Sequence, residues 1–215
     1  MALRVCPVCG TPAAAPFAVP RARSTPDLDS RPGEPARATL SRWLSTCPGC
    51  AAVAPDLVAL PAEAATVVAS EAYQLMMPRV AGALPFLRWA MLCPPRERRD
   101  AWLRAAWAAD DAGETIEAAS LRRQAAAHWG QPETPESALR LIDVLRRAGE
   151  FELARVRVAA LDADALEEIS ARVLEFQHQR ITAGDARRYR LSQAVPGTET
   201  AEEQRRGWMA RLLRR

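Results

Sequence analysis

Hydrophobic residues follow two different patterns along this chain, and the pattern changes near residue 60. Before that point they occur in short runs, such as 17–19 and 43–46, between stretches rich in proline and polar residues. Short apolar runs bounded by turn-forming residues predict short β-strands. Beyond it, apolar side chains such as Val68, Ala72 and Leu75 recur at helical spacing. We therefore predict an α+β chain that is mostly α, with the strands in its N-terminal part.

A repeat of helix, glycine-containing turn and helix occupies much of the helical part. Its glycines, Gly113, Gly149 and Gly184, lie 36 and 35 residues apart. Ala118 and Ala154 follow the first two glycines by five residues, where small side chains let paired helices approach closely, and the third unit has no such residue. A period of about 34 residues in paired helices is typical of tetratricopeptide repeats. We predict a tetratricopeptide-like array, and a generic helical bundle is the alternative.

Four of the five cysteines form two Cys-Pro-x-Cys pairs, Cys6 with Cys9 and Cys47 with Cys50. Each pair folds into a tight turn, here called a knuckle, that directs two thiolates at one point, as in a tetrahedral zinc site. A redox dithiol or a disulfide is the alternative, but that chemistry usually accompanies a single CxxC near a βαβ pattern. Because four thiolates leave zinc no open position, we predict one structural Zn²⁺ per chain.

These patterns divide the chain into three parts. Residues 1–60 are predicted to form a zinc-ribbon domain with a long inserted loop, because 20–38 is rich in proline, arginine and aspartate. Residues 61–192 are predicted to form the helical, tetratricopeptide-like domain. Residues 193–215 are predicted to be a flexible linker and a basic amphipathic tail. Because the tail combines arginines with large apolar residues, we expect it to contact an acidic partner or a membrane surface.

Composition limits the class of protein further. All 29 basic residues are arginine, a pattern of GC-rich genomes, and the formal net charge of +3 is spread along the chain. Composition therefore gives little support for nucleic-acid binding. The N-terminus lacks the apolar core of a signal peptide, and no apolar run approaches the length of about 18 residues that indicates a membrane span. We expect a cytoplasmic protein whose reduced thiols hold a metal.

No combination of residues in the sequence indicates catalysis. The two histidines, His128 and His178, have no matching acid and nucleophile, and neither a phosphate-binding loop nor an HExxH motif occurs. Asp27 and Asp29 lie among arginines in the inserted loop. Their spacing suits a divalent cation, or they form salt bridges that anchor the loop to the ribbon. We therefore predict that the protein is not an enzyme.

The two knuckles, the inserted loop and the first helical repeat together resemble an uncharacterised bacterial family. Its members combine an N-terminal double Cys-Pro-x-Cys zinc ribbon with tetratricopeptide-like helices. The resemblance rests on residues 6–10, 23–29, 47–50 and 101–113. Family members usually carry glycine after the fourth cysteine, where this chain has Ala51. Because the family has no assigned activity, the resemblance implies an architecture rather than a function.

We expect the helical repeats to present a groove to a protein or peptide segment, which would make the protein a zinc-binding interaction module or scaffold. The repeat pattern places acidic, basic and aromatic residues on the inner helices facing that groove. These predicted partner-binding residues are Trp107, Asp110, Asp111, Asp143, Arg146, Arg147 and His178. The alternative is a zinc-ribbon nucleic-acid-binding or regulatory protein, in which basic residues of the ribbon contact phosphate. Its candidate contacts are Arg21, Arg23, Arg31, Arg37 and Arg42.

Overall fold

The structure, a computed structural model, describes residues 4–198. It is mostly helical with one small sheet in its N-terminal part, so the predicted α+β, mostly α class is confirmed. The sheet pairs β1 (Ser45–Thr46) with β2 (Val53–Ala54) in an antiparallel manner. The α-helices are α1 (Ala64–Ala69), α2 (Glu71–Gln74), α3 (Leu84–Leu92), α4 (Pro95–Asp111), α5 (Thr115–Ala127), α6 (Pro135–Arg147), α7 (Phe151–Ala159), α8 (Glu168–Thr182) and α9 (Leu191–Ala194). Short 3-10 helices span Arg37–Arg42, Leu57–Ala59, Ala81–Ala83 and Ala163–Ala165.

Two compact units divide the chain, and neither is continuous in sequence. The first contains the residues up to 19 together with 39–128, and the second contains 20–38 together with the chain from residue 129. The inserted segment 20–38 therefore groups with the later helices. The predicted domain limits at residues 60 and 192 stay predictions, because grouping by contacts does not test which segments fold independently.

Small side chains line the helical hairpin of the first unit. In that unit α3 packs against β2 and α4, and α4 packs against α5. Ala101, Ala105 and Ala109 recur every fourth residue on α4 and are fully buried. Ala118 and Ala125 of α5 are buried as well. Helices whose contact residues are small can approach each other closely, which explains why an alanine-rich chain with few aromatic residues forms this core.

The second unit is built around α6, whose last seven residues, 141–147, are all buried. This helix contacts both α7 and α8. Its start is fixed by Thr134, whose side chain accepts a hydrogen bond from the Ser137 N–H, and by Pro135 in the first turn. The central position of α6 explains why charged residues near its C-terminal end are removed from solvent.

Three helices of the structure end in the same glycine turn. Gly113, Gly149 and Gly184 follow α4, α6 and α8 with φ angles of 77°, 79° and 62°, a left-handed conformation that glycine adopts without strain. After each glycine, the next residue donates its N–H to the carbonyl five residues earlier, over 2.8–3.0 Å. The glycine period of the sequence thus corresponds to a recurring helix end. The hairpins α4–α5 and α6–α7 lie in different units, and their stacking as tetratricopeptide repeats stays a prediction.

An ion pair and two hydrogen bonds hold the inserted segment in the second unit. Arg147 Nη1 donates to Asp29 Oδ2 over 2.7 Å, and Arg140 Nε donates to the Asp29 carbonyl oxygen over 3.0 Å. The Leu28 N–H donates to the carbonyl oxygen of Tyr189 over 3.0 Å. Asp29 therefore takes part in a salt bridge, and the partner that the structure gives it lies on α6. The expected anchor on the ribbon stays a prediction.

The predicted linker and tail fall mostly outside the described residues. Of residues 193–215, the structure describes only those up to 198, where Val195 is buried and its carbonyl oxygen accepts the Thr198 hydroxyl over 2.7 Å. The basic tail itself lies outside this range. Between residues 4 and 198, no helix combines the length and the apolar character needed to span a bilayer.

Breaking the ion pair between Arg147 and Asp29 should destabilise the second unit strongly. Their side chains are 5% and 0% exposed, and removing one partner of a buried ion pair costs about 3–5 kcal/mol. We expect Arg147→Ala to lower the free energy of unfolding by that amount, as measured by chemical denaturation. Arg155→Ala is the control, because it removes an exposed ion pair to Glu152 that contributes less than about 1 kcal/mol. Equal losses in the two variants would contradict the anchoring role.

Candidate metal centre

The first knuckle is a backbone turn closed by two hydrogen bonds. The Cys6 N–H donates to the Thr11 carbonyl oxygen and the Gly10 N–H donates to the Cys6 carbonyl oxygen, each over 2.8 Å. An antiparallel bridge between Val5 and Pro12 holds the base of the turn. Gly10 has a φ of 72°, the left-handed conformation that lets the backbone turn back toward the sulfur atoms.

The second knuckle has the same two backbone hydrogen bonds as the first. The Cys47 N–H donates to the Ala52 carbonyl oxygen over 2.8 Å, and the Ala51 N–H donates to the Cys47 carbonyl oxygen over 2.9 Å. Strands β1 and β2 form its base, with Thr46 opposite Val53. Ala51 takes the place of Gly10 and has a φ of 61°. The departure from glycine therefore leaves the geometry of the knuckle intact, although an alanine in this conformation is strained.

The two knuckles bring four sulfur atoms together. The Sγ atoms of Cys6, Cys9, Cys47 and Cys50 all lie within 4.8 Å of one another. The separation is 3.5 Å between Cys9 and Cys47 and 3.8 Å between Cys6 and Cys50. A tetrahedron with metal–sulfur bonds of about 2.3 Å has edges of about 3.8 Å, whereas a disulfide requires about 2.05 Å. The cysteines are therefore unbonded to one another and could together hold one metal ion.

Gly49 is required by the close approach of the knuckles. A Cβ atom added at this position would lie 2.2 Å from Thr11 Oγ1 and 3.2 Å from Cys9 Sγ. Atoms so close would have to move apart, and the sulfur of Cys9 would move with them. The glycine in the second knuckle is thus a condition for the four-sulfur cluster.

The thiols of the cluster differ in their acidity. A hydrogen bond between the Cys9 sulfur and the Thr11 hydroxyl, together with one from the Thr11 N–H, lowers the pKa of the exposed Cys9 to about 6. Burial raises the pKa of Cys6, and burial together with the neighbouring cysteines raises the pKa of Cys50 to about 12. Four thiolates at this distance repel one another unless a cation lies between them. A bound metal ion supplies that charge and deprotonates a coordinating thiol, so the donor set fits a metal centre.

Helix α2 supports the second knuckle from outside. The hydroxyl of Tyr73 donates to the Ala51 carbonyl oxygen over 3.0 Å, and Gln74 Nε2 donates to the Cys50 carbonyl oxygen over 3.4 Å. Tyr73 is fully buried, and burial raises the pKa of its phenol to about 12, which keeps the hydroxyl protonated as a donor. The sequence analysis missed Tyr73, because a contact over 22 residues leaves no local pattern.

Most of the predicted partner-binding residues are not exposed. Trp107, Asp143, Arg146 and Arg147 are buried, with exposed fractions between 0% and 8%. Arg146 Nη2 donates to Asp143 Oδ1 over 2.6 Å, and Arg146 Nη1 donates to the Asp185 carbonyl oxygen over 2.6 Å. Through these contacts Arg146 and Asp143 hold parts of the second unit together. Because all four side chains are buried, they do not present a surface to a partner.

The remaining three predicted residues differ in their burial and in the unit to which they belong. Asp110 is half-buried and accepts two hydrogen bonds from Arg122, over 3.0 Å and 2.6 Å. Asp111 and His178 are exposed. Asp111 belongs to the first unit and His178 to the second, so the predicted set does not form one cluster within either unit.

The arginines of the nucleic-acid alternative are also dispersed. Arg31 is 1% exposed, and Arg37 forms an ion pair with the buried Asp27. Arg42 stacks over the ring of Phe17 at 4.1 Å in the first unit, whereas the other four arginines belong to the second unit. Four of the five arginines thus belong to a different unit from the ribbon cysteines. The arrangement gives the nucleic-acid alternative no support.

Cys93, the fifth cysteine, stands apart from the cluster. It is buried at the end of α3, and burial raises its pKa to about 11. A buried thiol that resists ionisation packs as a small apolar side chain. This residue provides a matched control for the cluster cysteines.

The two equivalent turn positions, Gly10 and Ala51, should respond to substitution with opposite signs. Ala51→Gly relieves a left-handed alanine and should raise the free energy of unfolding by about 1 kcal/mol, whereas Gly10→Ala introduces the same strain and should lower it by about 1 kcal/mol. Open space surrounds an added Cβ at Gly10, so no steric clash adds to the backbone strain. Thermal denaturation at equal metal content measures both, and shifts of the same sign would contradict the equivalence of the knuckles.

Comparisons of the chain with protein-family models, with curated proteins and with solved structures find no match. The interpretation of the metal centre therefore rests on the geometry of its four cysteines, and the family resemblance stays a prediction.

Proposed function

We propose that this protein is a non-enzymatic interaction module whose two knuckles are held together by one structural zinc ion. The convergence of four sulfur atoms within 4.8 Å carries the proposal. Tetrahedral sets of sulfur ligands favour zinc or iron–sulfur centres. The edges of 3.5 Å and 3.8 Å suit one ion, because a cluster of several irons holds its cysteines on different metal atoms and so further apart.

A zinc ion bound in this way would act on folding instead of chemistry. Four thiolates leave it no open position for water or a substrate. Each pair of ligands belongs to one turn, and the two turns lie in distant segments of the chain. Zinc binding would join these segments and contribute its free energy to the folded state. This role agrees with the sequence, which offers no acid–base pair or nucleophile near the cluster.

The surroundings of the second knuckle support the interaction role. In this proposal zinc orders the knuckle, and the knuckle positions α2 through the hydrogen bonds of Tyr73 and Gln74. The chain after α2 then presents Leu75 and Met77, which are 67% and 92% exposed. The two residues are two positions apart in sequence, and methionine adapts to partners of different shape. We call this pair the knuckle-side patch, and its partner is a protein or peptide with an apolar face.

Zinc content should depend on the clustered cysteines alone. We expect about one equivalent of zinc in the wild-type chain and in Cys93→Ala, and well under half an equivalent in Cys47→Ala, because three thiolates bind zinc more weakly than four. Elemental analysis of protein purified without added metal measures this content. A wild-type chain that carries little zinc while its thiols are reduced would refute the structural zinc ion.

The knuckle-side patch should be the contact through which a partner is captured. A photoreactive amino acid at position 77 should cross-link a specific protein in the native cell, and that product should disappear with Leu75→Ser in the same chain. The matched control carries the photoreactive residue at Ile116, which is 77% exposed on α5 of the same unit. Identical products from positions 77 and 116 would show non-specific capture and would contradict the assignment of this patch.

A further inference from the structure

Helix α7 of the second unit carries apolar side chains on two sides. On one side Ala154 is fully buried, and α7 contacts α6 and α8. On the other side lie Leu153, Val156 and Ala160, whose spacing places them on one face of a helix. Leu153 and Val156 are 54% and 65% exposed, and Ala160 is exposed as well. We call these three residues the outer face of α7. A helix with apolar residues on all sides is usually buried on all sides.

Charged residues follow both edges of the outer face in the same order. Glu152 and Arg155 lie along one edge, and Glu150 and Arg157 lie along the other. The side chains of Glu152 and Arg155 are 87% and 43% exposed and form an ion pair within the helix. On each edge the acidic residue precedes the arginine. The outer face is therefore negative at the start of α7 and positive at its end.

We propose that the outer face of α7 binds the outer face of α7 in a second copy of this chain. The two helices are antiparallel and related by a two-fold axis, so that one surface meets itself. With the axis between residues 154 and 155, Leu153 lies opposite Val156 of the second copy. Ala160 then lies opposite Gly149 of the second copy, and these small residues let the helices approach closely.

The charges favour an antiparallel pair of identical helices. An antiparallel arrangement brings the start of one α7 beside the end of the other, so Glu152 lies beside Arg155 of the second copy. On the other edge, Glu150 lies beside Arg157 of the second copy. A parallel pair would bring acidic residues together and arginines together, and like charges in contact oppose binding. The outer face is thus complementary in charge to itself, which is the reason for choosing a second copy as its partner.

The short length of α7 sets the strength of this contact. Its nine residues form a helix about 14 Å long. Two helices of this length bury less than the area of about 1,200 Å² that is typical of stable interfaces. We therefore expect a dimer that forms and dissociates at micromolar concentrations.

The dimer is independent of the proposed function. All residues of the outer face and its edges belong to the second unit, whereas the cysteine cluster and the knuckle-side patch belong to the first. Failure of the tests below would leave the structural zinc ion and the knuckle-side patch untouched.

Sedimentation equilibrium of the full-length chain across micromolar concentrations tests the dimer. We expect the wild type to change from monomer to dimer, and Leu153→Asp to weaken the dimer by about tenfold or more, because a charge replaces an apolar contact on both copies. The control Ile116→Asp changes a side chain that is 77% exposed on α5 of the first unit, and it should leave the affinity unchanged. A wild type that stays monomeric, or equal effects of the two substitutions, would overturn the proposal.

Charge reversal on one edge tests the antiparallel arrangement. Glu152→Arg and Arg155→Glu should each weaken the dimer several-fold at low salt, because each variant brings like charges together across the axis. A mixture of the two variants should restore binding, since Arg at position 152 of one copy then lies beside Glu at position 155 of the other. Loss of stability in either variant could not produce this recovery. A mixture that associates no better than the separate variants would overturn the proposal.

The matched control reverses another exposed ion pair of the same unit. Glu168 and Arg172 of α8 have side chains that are 78% and 54% exposed. Glu168→Arg and Arg172→Glu change the net charge by the same amounts as the α7 variants, and we expect each to associate as the wild type does. The effect of the α7 variants should also fall at high salt, because exposed charges are then screened. Equal weakening by the α8 variants would overturn the assignment of the contact to α7.

Discussion

The meeting of four sulfur atoms at one point is the constraint on which the N-terminal part of the first unit depends. The cysteines that approach each other are 38 and 44 residues apart in sequence, so two separate turns must be built and then brought together. Their approach excludes a side chain at Gly49 and holds Ala51 in a left-handed conformation. Tyr73 of α2 then donates a hydrogen bond to the second turn, which ties the position of α2 to the position of the cluster.

The second unit depends on a different kind of contact, the buried ion pair. Asp29 with Arg147 and Asp143 with Arg146 are almost fully removed from solvent. Buried pairs of this kind often contribute little net stability compared with apolar residues, but a wrong arrangement leaves a charge without its partner. They therefore restrict which segment can lie against α6. This restriction is useful in a chain whose alanine side chains are too uniform to specify a unique arrangement by shape alone.

Local patterns in the sequence predicted the elements well, and long-range contacts escaped them. The two Cys-Pro-x-Cys turns follow from spacing and turn chemistry, and the glycine period marks real helix ends. Helical periodicity also placed Asp143 and Arg146 on an inner face of α6, but periodicity cannot distinguish a face toward a partner from a face toward the protein's own core. The deciding information is the presence of Asp185 and the neighbouring backbone 39 residues later, and no local rule contains it.

The discontinuity of the two units has a consequence for synthesis on the ribosome. Every described residue of the first unit has been made when residue 128 leaves the ribosome, whereas Arg147, the partner of Asp29 at a separation of 118 residues, follows later. The segment 20–38 has then been made, while α6, which carries its partner Arg147, has not yet left the ribosome. At about 5–20 residues per second, this interval lasts seconds, during which a buried aspartate of the mature protein is in water. The order of translation thus separates the appearance of Asp29 from that of its partner Arg147.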